Sequence, residues 1–121
     1  RHRRTERRLC LLTAEQTASA IKAILTEKKA RDIEVIDLEG KTILADRFVI
    51  ATGTSVTHIR TLAGDVEKNL KEQYQRQPEH IEGYNSGRWI LMDYADVVVH
   101  LFHTEERDFY NLEKLWRSAR V

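Results

Sequence analysis

The feature that most constrains the fold is a helical repeat of apolar residues in the middle of the chain. Apolar side chains recur there at steps of three and four residues, which places them on one face of an α-helix. The positions are Ile59, Leu62, Ala63, Val66, Leu70 and Tyr74. Ser55 is suited to cap the N-terminus of this helix, and Pro78 lies just beyond a stop near Arg76. Because a helix with one apolar face must cover another layer, the repeat predicts a layered domain around one core.

Runs of β-branched and apolar residues on both sides of this helix predict strands. Two precede it, Asp32–Leu38 and Arg47–Ala51. The second contains a continuous apolar run, which is typical of a central strand buried on both faces. Three more follow the helix, at His80–Tyr84, Trp89–Met92 and Val97–Phe102.

Two further helices are predicted near the ends of the chain. Thr13 and Gln16 stand at capping-box spacing at the start of a helix that runs to about Lys29. Thr104 is suited to cap a last helix. The resulting order, α-β-β-α-β-β-β-α, predicts an α/β fold, a single layered domain with one mixed β-sheet. The β-α-β portion between residues 48 and 81 is expected to supply a parallel pair of strands.

The composition agrees with one globular domain. The chain has 121 residues, of which 41% are hydrophobic and 32% charged. A membrane span needs about twenty consecutive apolar residues, and no run approaches that length. Cys10 is the single cysteine, which excludes an intrachain disulfide and a multi-cysteine zinc site.

Positive charge is concentrated at the start of the chain. Five arginines against one glutamate give residues 1–8 a net charge of +4, while fifteen basic and eighteen acidic residues give the remainder −3. We therefore expect a basic, disordered arm over residues 1–12 and a mildly acidic domain over residues 13–121. The arm could make a minor contact with RNA, whereas the acidic domain suits a basic protein partner.

Two sequence features invite an enzymatic interpretation. The turn Gly53-Thr54-Ser55 lies between a strand and a helix, but both standard phosphate-loop motifs are missing, which favours a plain strand-to-helix turn. Asp65 and Glu67 follow at a distance typical of nucleotidyltransferase metal ligands. Residues two apart point the same way on a strand but about 200° apart on a helix, so this pair is not expected to hold a metal. We predict no catalytic residue, no metal and no cofactor.

The remaining polar candidates give weaker signals. His100 and His103 are three residues apart on a predicted strand and should lie on opposite faces. We expect His100 near the sheet surface, bonded to Asp93 or Asp96. Cys10 has no partners by sequence that would make it a nucleophile.

Large aromatic residues are interleaved with acidic ones in the last third of the chain. They are Trp89, Tyr94, Tyr110 and Trp116. Aromatic anchors beside selective charges are typical of a protein interface. The pattern equally allows Trp89 and Trp116 to be core residues, and it leaves both alternatives open.

Several stretches of the chain together form a recognisable pattern. They are Gly83–Asp93, Asp96–Phe102, Glu106–Arg107, Tyr110–Trp116 and Thr52–Ser55 with His58. In these stretches, and from about residue 13 to residue 116 as a whole, the chain resembles the ribosomal silencing factor family, also called Iojap. With such a family, the minor RNA contact expected of the basic arm would be with ribosomal RNA.

This resemblance implies a nucleotidyltransferase-like fold without the transferase's metal carboxylates. It also implies binding to the large ribosomal subunit through its protein L-fourteen. The bound factor would then block association with the small subunit and repress translation under nutrient limitation. The alternatives are a nucleotidyltransferase-like enzyme or a factor in large-subunit maturation.

The resemblance further implies which residues meet the partner. Trp89 and Tyr110 match positions that the family uses at this contact, and the neighbouring strand and turn are expected to complete the surface. The full set of predicted partner-binding residues is Trp89, Met92, Asp93, Tyr94, Asp96, Val98, His100 and Tyr110. We expect a monomer or weak homodimer in the bacterial cytoplasm, with a mitochondrion or chloroplast as the alternative location.

Overall fold

The computed structural model describes residues 12–40 and 45–104. The predicted order of elements is confirmed over these residues, whereas the basic arm and the predicted last helix lie outside them. The elements are α1 (Ala14–Glu27), β1 (Arg31–Asp37), β2 (Arg47–Gly53), α2 (Val56–Tyr74), β3 (His80–Glu82), β4 (Trp89–Asp93) and β5 (Val97–His103). Neither described helix combines the length and the apolar character that crossing a bilayer requires.

The five strands form one sheet in the order β1-β2-β5-β4-β3. β2 and β5 run parallel, and the other neighbours are antiparallel, so the predicted mixed sheet is confirmed. The expected origin of the parallel pair is wrong. α2 leads from β2 to β3, which lies at the far edge and pairs only with β4. The parallel partner of β2 is β5, because these two apolar strands match along their whole length, from Arg47 opposite Val97 to Gly53 opposite His103.

The helix ends follow from the local sequence. The Thr13 hydroxyl accepts a hydrogen bond from the Gln16 N–H at 3.0 Å, and the Gln16 side chain accepts one from the Thr13 N–H, also at 3.0 Å. This is the predicted capping box. Ser55 caps α2 by accepting from the His58 N–H at 3.0 Å. Gln75 ends α2 in a left-handed conformation, three residues before Pro78.

Both helices pack on the same face of the sheet, and the main core lies between the helices and the sheet. Its largest members from the helices are Ile21, Leu25, Ile59, Leu62 and Leu70, all fully buried. The opposite face of the sheet carries a second buried cluster that includes Phe48, Ile50, Val98 and Phe102. β5 contributes alternate side chains to both clusters, as expected of a central strand.

Candidate partner-binding surface

Trp89 begins β4 and lies on the face of the sheet opposite the two helices. Its ring stacks on that of Phe102 with a centroid separation of 4.8 Å, and it packs against the second cluster. The indole N–H donates to Nδ1 of His100 at 3.2 Å. The side chain is only partly buried, so part of it is exposed to solvent. A rigid, partly exposed aromatic side chain is suited to anchor a partner.

His100 supports Trp89 from beneath. It is only 4% exposed and lies edge-on to Phe48, with ring centroids 4.7 Å apart. The expectation that it bonds to Asp93 or Asp96 near the surface is wrong, because it lies on a central strand and faces the second cluster. Since Nδ1 accepts from Trp89, the proton of the neutral ring belongs on Nε2, for which the described residues provide no partner. Burial lowers the pKa of His100 to about 4.

Two acidic side chains and a histidine lie on the same face as Trp89. The β3–β4 register pairs His80 with Asp93 and Glu82 with Leu91. His80 Nε2 lies 3.3 Å from an Asp93 carboxylate oxygen and 3.6 Å from a Glu82 one. A shallow depression lined by Glu82, Gly83, Trp89 and Leu91 opens beside them. We call the surface formed by Trp89, Leu91, Asp93, His80 and Glu82 the aromatic–acidic face.

Asp96 has a different role from Asp93. Its carboxylate accepts from Arg76 Nη2 at 2.9 Å. Arg76 also donates to the Thr17 hydroxyl at 2.9 Å and to the Tyr94 carbonyl at 2.7 Å. The predicted site residue Asp96 therefore ties the β4–β5 turn to α1 and to the segment after α2. Its charge is largely engaged within the domain.

The structure separates the other predicted partner-binding residues. Met92 and Tyr94 are 0% and 1% exposed in the main core, because alternation along β4 turns them away from Trp89. Buried in this way, they offer no surface to a partner. Val98 is 8% exposed, in the second cluster. Tyr110 lies outside the described residues, so its place at the contact stays a prediction.

The candidate enzymatic features take the places expected of them. Asp65 and Glu67 lie within α2, so their carboxylates diverge, and Asp65 comes within 4.0 Å of Lys28 Nζ. Gly53 and Ser55 form a tight strand-to-helix turn. Over residues 12–40 and 45–104, no group of three or more His, Cys, Asp or Glu side chains could hold a metal ion.

The fold and this surface define a small α/β domain with an aromatic and acidic face. Comparison with known proteins then identifies the family. The chain belongs to the ribosomal silencing factors, because the family described as "Ribosomal silencing factor during starvation" matches residues 12–121. The resemblance drawn from the sequence is confirmed, while the likeness to nucleotidyltransferases stays a prediction.

Individual relatives support this assignment. The ribosomal silencing factor RsfS of Bacillus subtilis is 41% identical over 97 residues, covering 80% of this chain and 81% of the relative. A mouse protein named "Mitochondrial assembly of ribosomal large subunit protein 1" is 35% identical over 96 residues, covering 78% of this chain and 42% of the mouse protein. A crystal structure from Chromobacterium violaceum superposes with a TM-score of 0.83 at 34% identity, covering 87% of each chain.

Proposed function

We propose that this chain binds the large ribosomal subunit through its protein L-fourteen and thereby keeps the small subunit from joining it. Membership of the ribosomal silencing factor family supports a ribosomal target. The resemblance in sequence implies protein L-fourteen as the contact. The observation that carries the proposal is the aromatic–acidic face, in which Phe102 and His100 hold the partly exposed Trp89 in place.

This face suits a basic protein. Trp89 supplies the kind of rigid anchor that dominates binding energies at interfaces. Glu82 supplies negative charge beside Trp89, and Asp93 supplies it at the other end of β4. Residues 9–121 as a whole carry a net charge of −3. Complementary charge accelerates encounter with a basic partner and disfavours acidic ones.

The proposed mechanism requires no chemistry. A folded domain docked on the joining surface of the large subunit excludes the small subunit by occupying the same space. Fewer joined ribosomes then mean less translation, which fits a factor used when nutrients are scarce. We assign the protein to the bacterial cytoplasm, acting as a monomer or weak homodimer.

Replacing the anchor tests the contact. Trp89→Ala should weaken binding to isolated large subunits by roughly 30-fold, which corresponds to about 2 kcal/mol. Co-sedimentation with large subunits over a range of protein concentrations measures the Kd. Val35→Ala is the control, because Val35 is 40% exposed on the other edge strand and should leave the Kd within about twofold. Unchanged binding in both Trp89→Ala and Tyr110→Ala would reject the proposed contact.

A second candidate function is a role in large-subunit maturation. The name of the mouse relative favours it, since that protein is named for assembly of the mitochondrial large subunit. Depleting the protein from cells distinguishes the two functions. A maturation factor predicts that incomplete large subunits accumulate in growing cells. A silencing factor predicts complete subunits and an excess of joined ribosomes in starved cells.

A further inference from the structure

A cationic notch opens where α1 ends and α2 begins. It is lined by Lys28, Lys29, Arg31, Thr54 and His58. Three positive side chains thus converge within four residues of the chain, although the domain as a whole is mildly acidic. The notch also adjoins the N-terminus of α2, where the helix dipole places partial positive charge.

The charges of the notch are available to a ligand. No ion pair within the described part of the chain involves Lys29 or Arg31, and both residues are exposed. Lys28 Nζ approaches an Asp65 carboxylate oxygen only at 4.0 Å, with the lysine side chain 44% exposed. Such a pair is weak.

His58 holds the two sides of the notch together. The Thr54 backbone N–H donates to Nδ1 of His58 at 3.1 Å. Nε2 lies 3.0 Å from the carbonyl oxygen of Lys28, which can only accept. The ring is therefore in its Nε2–H form and connects the α2 end of the notch to the α1 end. The cations are presented on a fixed frame and not on a free loop.

The identity of Lys29 points to a use for its charge. The Lys29 N–H donates to Thr26 and the Ala30 N–H donates to Leu25, which together form a Schellman motif at the end of α1. Lys29 has φ 70° in this motif, at the position where glycine is the preferred residue. The chain keeps a lysine in a conformation that costs it stability.

The notch lies at the same end of the sheet as Trp89. Arg31 is opposite Thr52, Thr52 is opposite Phe102, and Phe102 is opposite Trp89. This row crosses three strand spacings, or about 14 Å between the Arg31 and Trp89 backbones. Trp89 lies on the face opposite the helices and the notch lies at the helix ends, so one partner must extend around this end of the sheet to contact both.

We propose that the notch binds the phosphate backbone of ribosomal RNA beside the protein contact. The inference rests on the proposed function, because it takes the large subunit as the target. Ammonium and guanidinium groups on a rigid frame next to a helix N-terminus are suited to phosphate oxygens. The RNA contact thus lies on the folded domain and not only on the basic arm.

The salt dependence of binding tests this proposal. The full chain carrying Lys28→Gln, Lys29→Gly and Arg31→Gln is compared with a control carrying Lys22→Gln, Lys68→Gln and Lys71→Gln, which removes the same charge from exposed positions elsewhere. With isolated large subunits in about 0.1 M salt, the notch variant should bind roughly 10-fold or more weakly, and the slope of log Kd against log salt should fall by about two. The control should change neither quantity beyond about twofold. Equal behaviour of the two triple variants would overturn the proposal.

Two further measurements distinguish loss of the RNA contact from misfolding and from failure of the proposed protein contact. Lys29→Gly alone should raise Tm while weakening binding, so loss of affinity cannot be attributed to misfolding. Trp89→Ala should weaken binding without changing the salt slope. A changed slope in the notch variant together with full binding by both Trp89→Ala and Tyr110→Ala would reject the protein contact and keep the RNA contact.

A photoreactive amino acid in place of Arg31 identifies what the notch touches. On large subunits, irradiation should attach the protein to ribosomal RNA, and the product should be sensitive to ribonuclease. An adduct with a ribosomal protein, resistant to ribonuclease, would overturn the RNA assignment.

Discussion

Trp89 and His100 act as one unit at the scale of single residues. The imidazole accepts the indole N–H and, being buried, stays neutral at physiological pH. Because a protonated ring could not accept that hydrogen bond, the neutral form is the one that holds the Trp89 ring in place. The N–H edge of the indole is thus held by His100, and one ring face is held by the stack on Phe102. Preorganising an anchor in this way lowers the entropy lost on binding.

Burial of His100 makes stability depend on pH. Burial lowers the pKa of His100 from 6.5 to about 4, so between these values the unfolded chain binds a proton that the folded chain does not. Stability from this residue is therefore fully present above pH 6.5 and is lost as the pH falls towards 4, by roughly 3 kcal/mol. Urea unfolding at pH 7.0, 5.5 and 4.5 measures the loss.

His100→Leu is the comparison variant for that measurement, because it removes the titrating group. Its stability should fall less than that of the parent between pH 7.0 and 4.5. The two proteins are compared by how much the free energy of unfolding of each changes with pH. A difference between them at pH 7 does not affect this comparison. Parallel pH profiles for the two proteins would contradict the account of His100.

The sequence predicts the strand that begins at Trp89. It does not predict which of the proposed site residues lie on the face of Trp89 and which lie in the main core. Alternation along β4 decides that Leu91 shares the face of Trp89 while Met92 enters the core. Both residues are apolar, so their identity carries no sign of which face is which. The burial of His100 could not be predicted for the same reason, because it lies in a strand that is buried on both faces.

At the scale of elements, the turn from β2 into α2 depends on close packing at Gly53. A Cβ atom built there would lie 2.5 Å from Cγ1 of Ile59, which is fully buried. Gly64, in the middle of α2, has nothing within 4 Å of such an atom. Position 53 therefore has no room for a side chain, whereas position 64 has room for one.

Replacing each glycine by alanine should shift stability in opposite directions. Gly53→Ala forces Ile59 or the helix to move and should lower the free energy of unfolding by about 1–3 kcal/mol. Gly64→Ala removes conformational freedom from the unfolded chain and should raise it by about 0.5–1 kcal/mol. Thermal and urea unfolding of both variants checks the signs. Destabilisation by Gly64→Ala, or tolerance of Gly53→Ala, would show that the packing of α2 on β2 is misplaced.

Local signals predict the elements well, but strand pairing needs long-range information. The Thr13 capping box and the Ser55 cap act within one helical turn and are confirmed. The parallel pairing of β2 with β5 joins residues about fifty apart and follows from how two largely buried, mostly apolar strands share the centre of the sheet. Sequence order suggested β3 instead, which is only three residues long and lies at an edge.

At the scale of the whole molecule, the aromatic anchor Trp89 and the cationic notch lie at the same end of the sheet, on opposite sides of it. The aromatic–acidic face suits a basic protein, and the notch suits RNA phosphates. A target made of both protein and RNA, such as a ribosomal subunit, can match both surfaces, whereas a protein alone or an RNA alone can match only one of them. Two modest contacts on one rigid domain also add to the affinity of the whole.

Subunit joining in the presence of this protein tests the central claim most directly. Purified small and large subunits are mixed in magnesium buffer after the large subunits have been saturated with the protein, and light scattering reports the joined ribosomes. The account predicts that joining falls in proportion to the occupied large subunits and recovers with Trp89→Ala at the same protein concentration. Normal joining of large subunits that demonstrably carry the protein would contradict it.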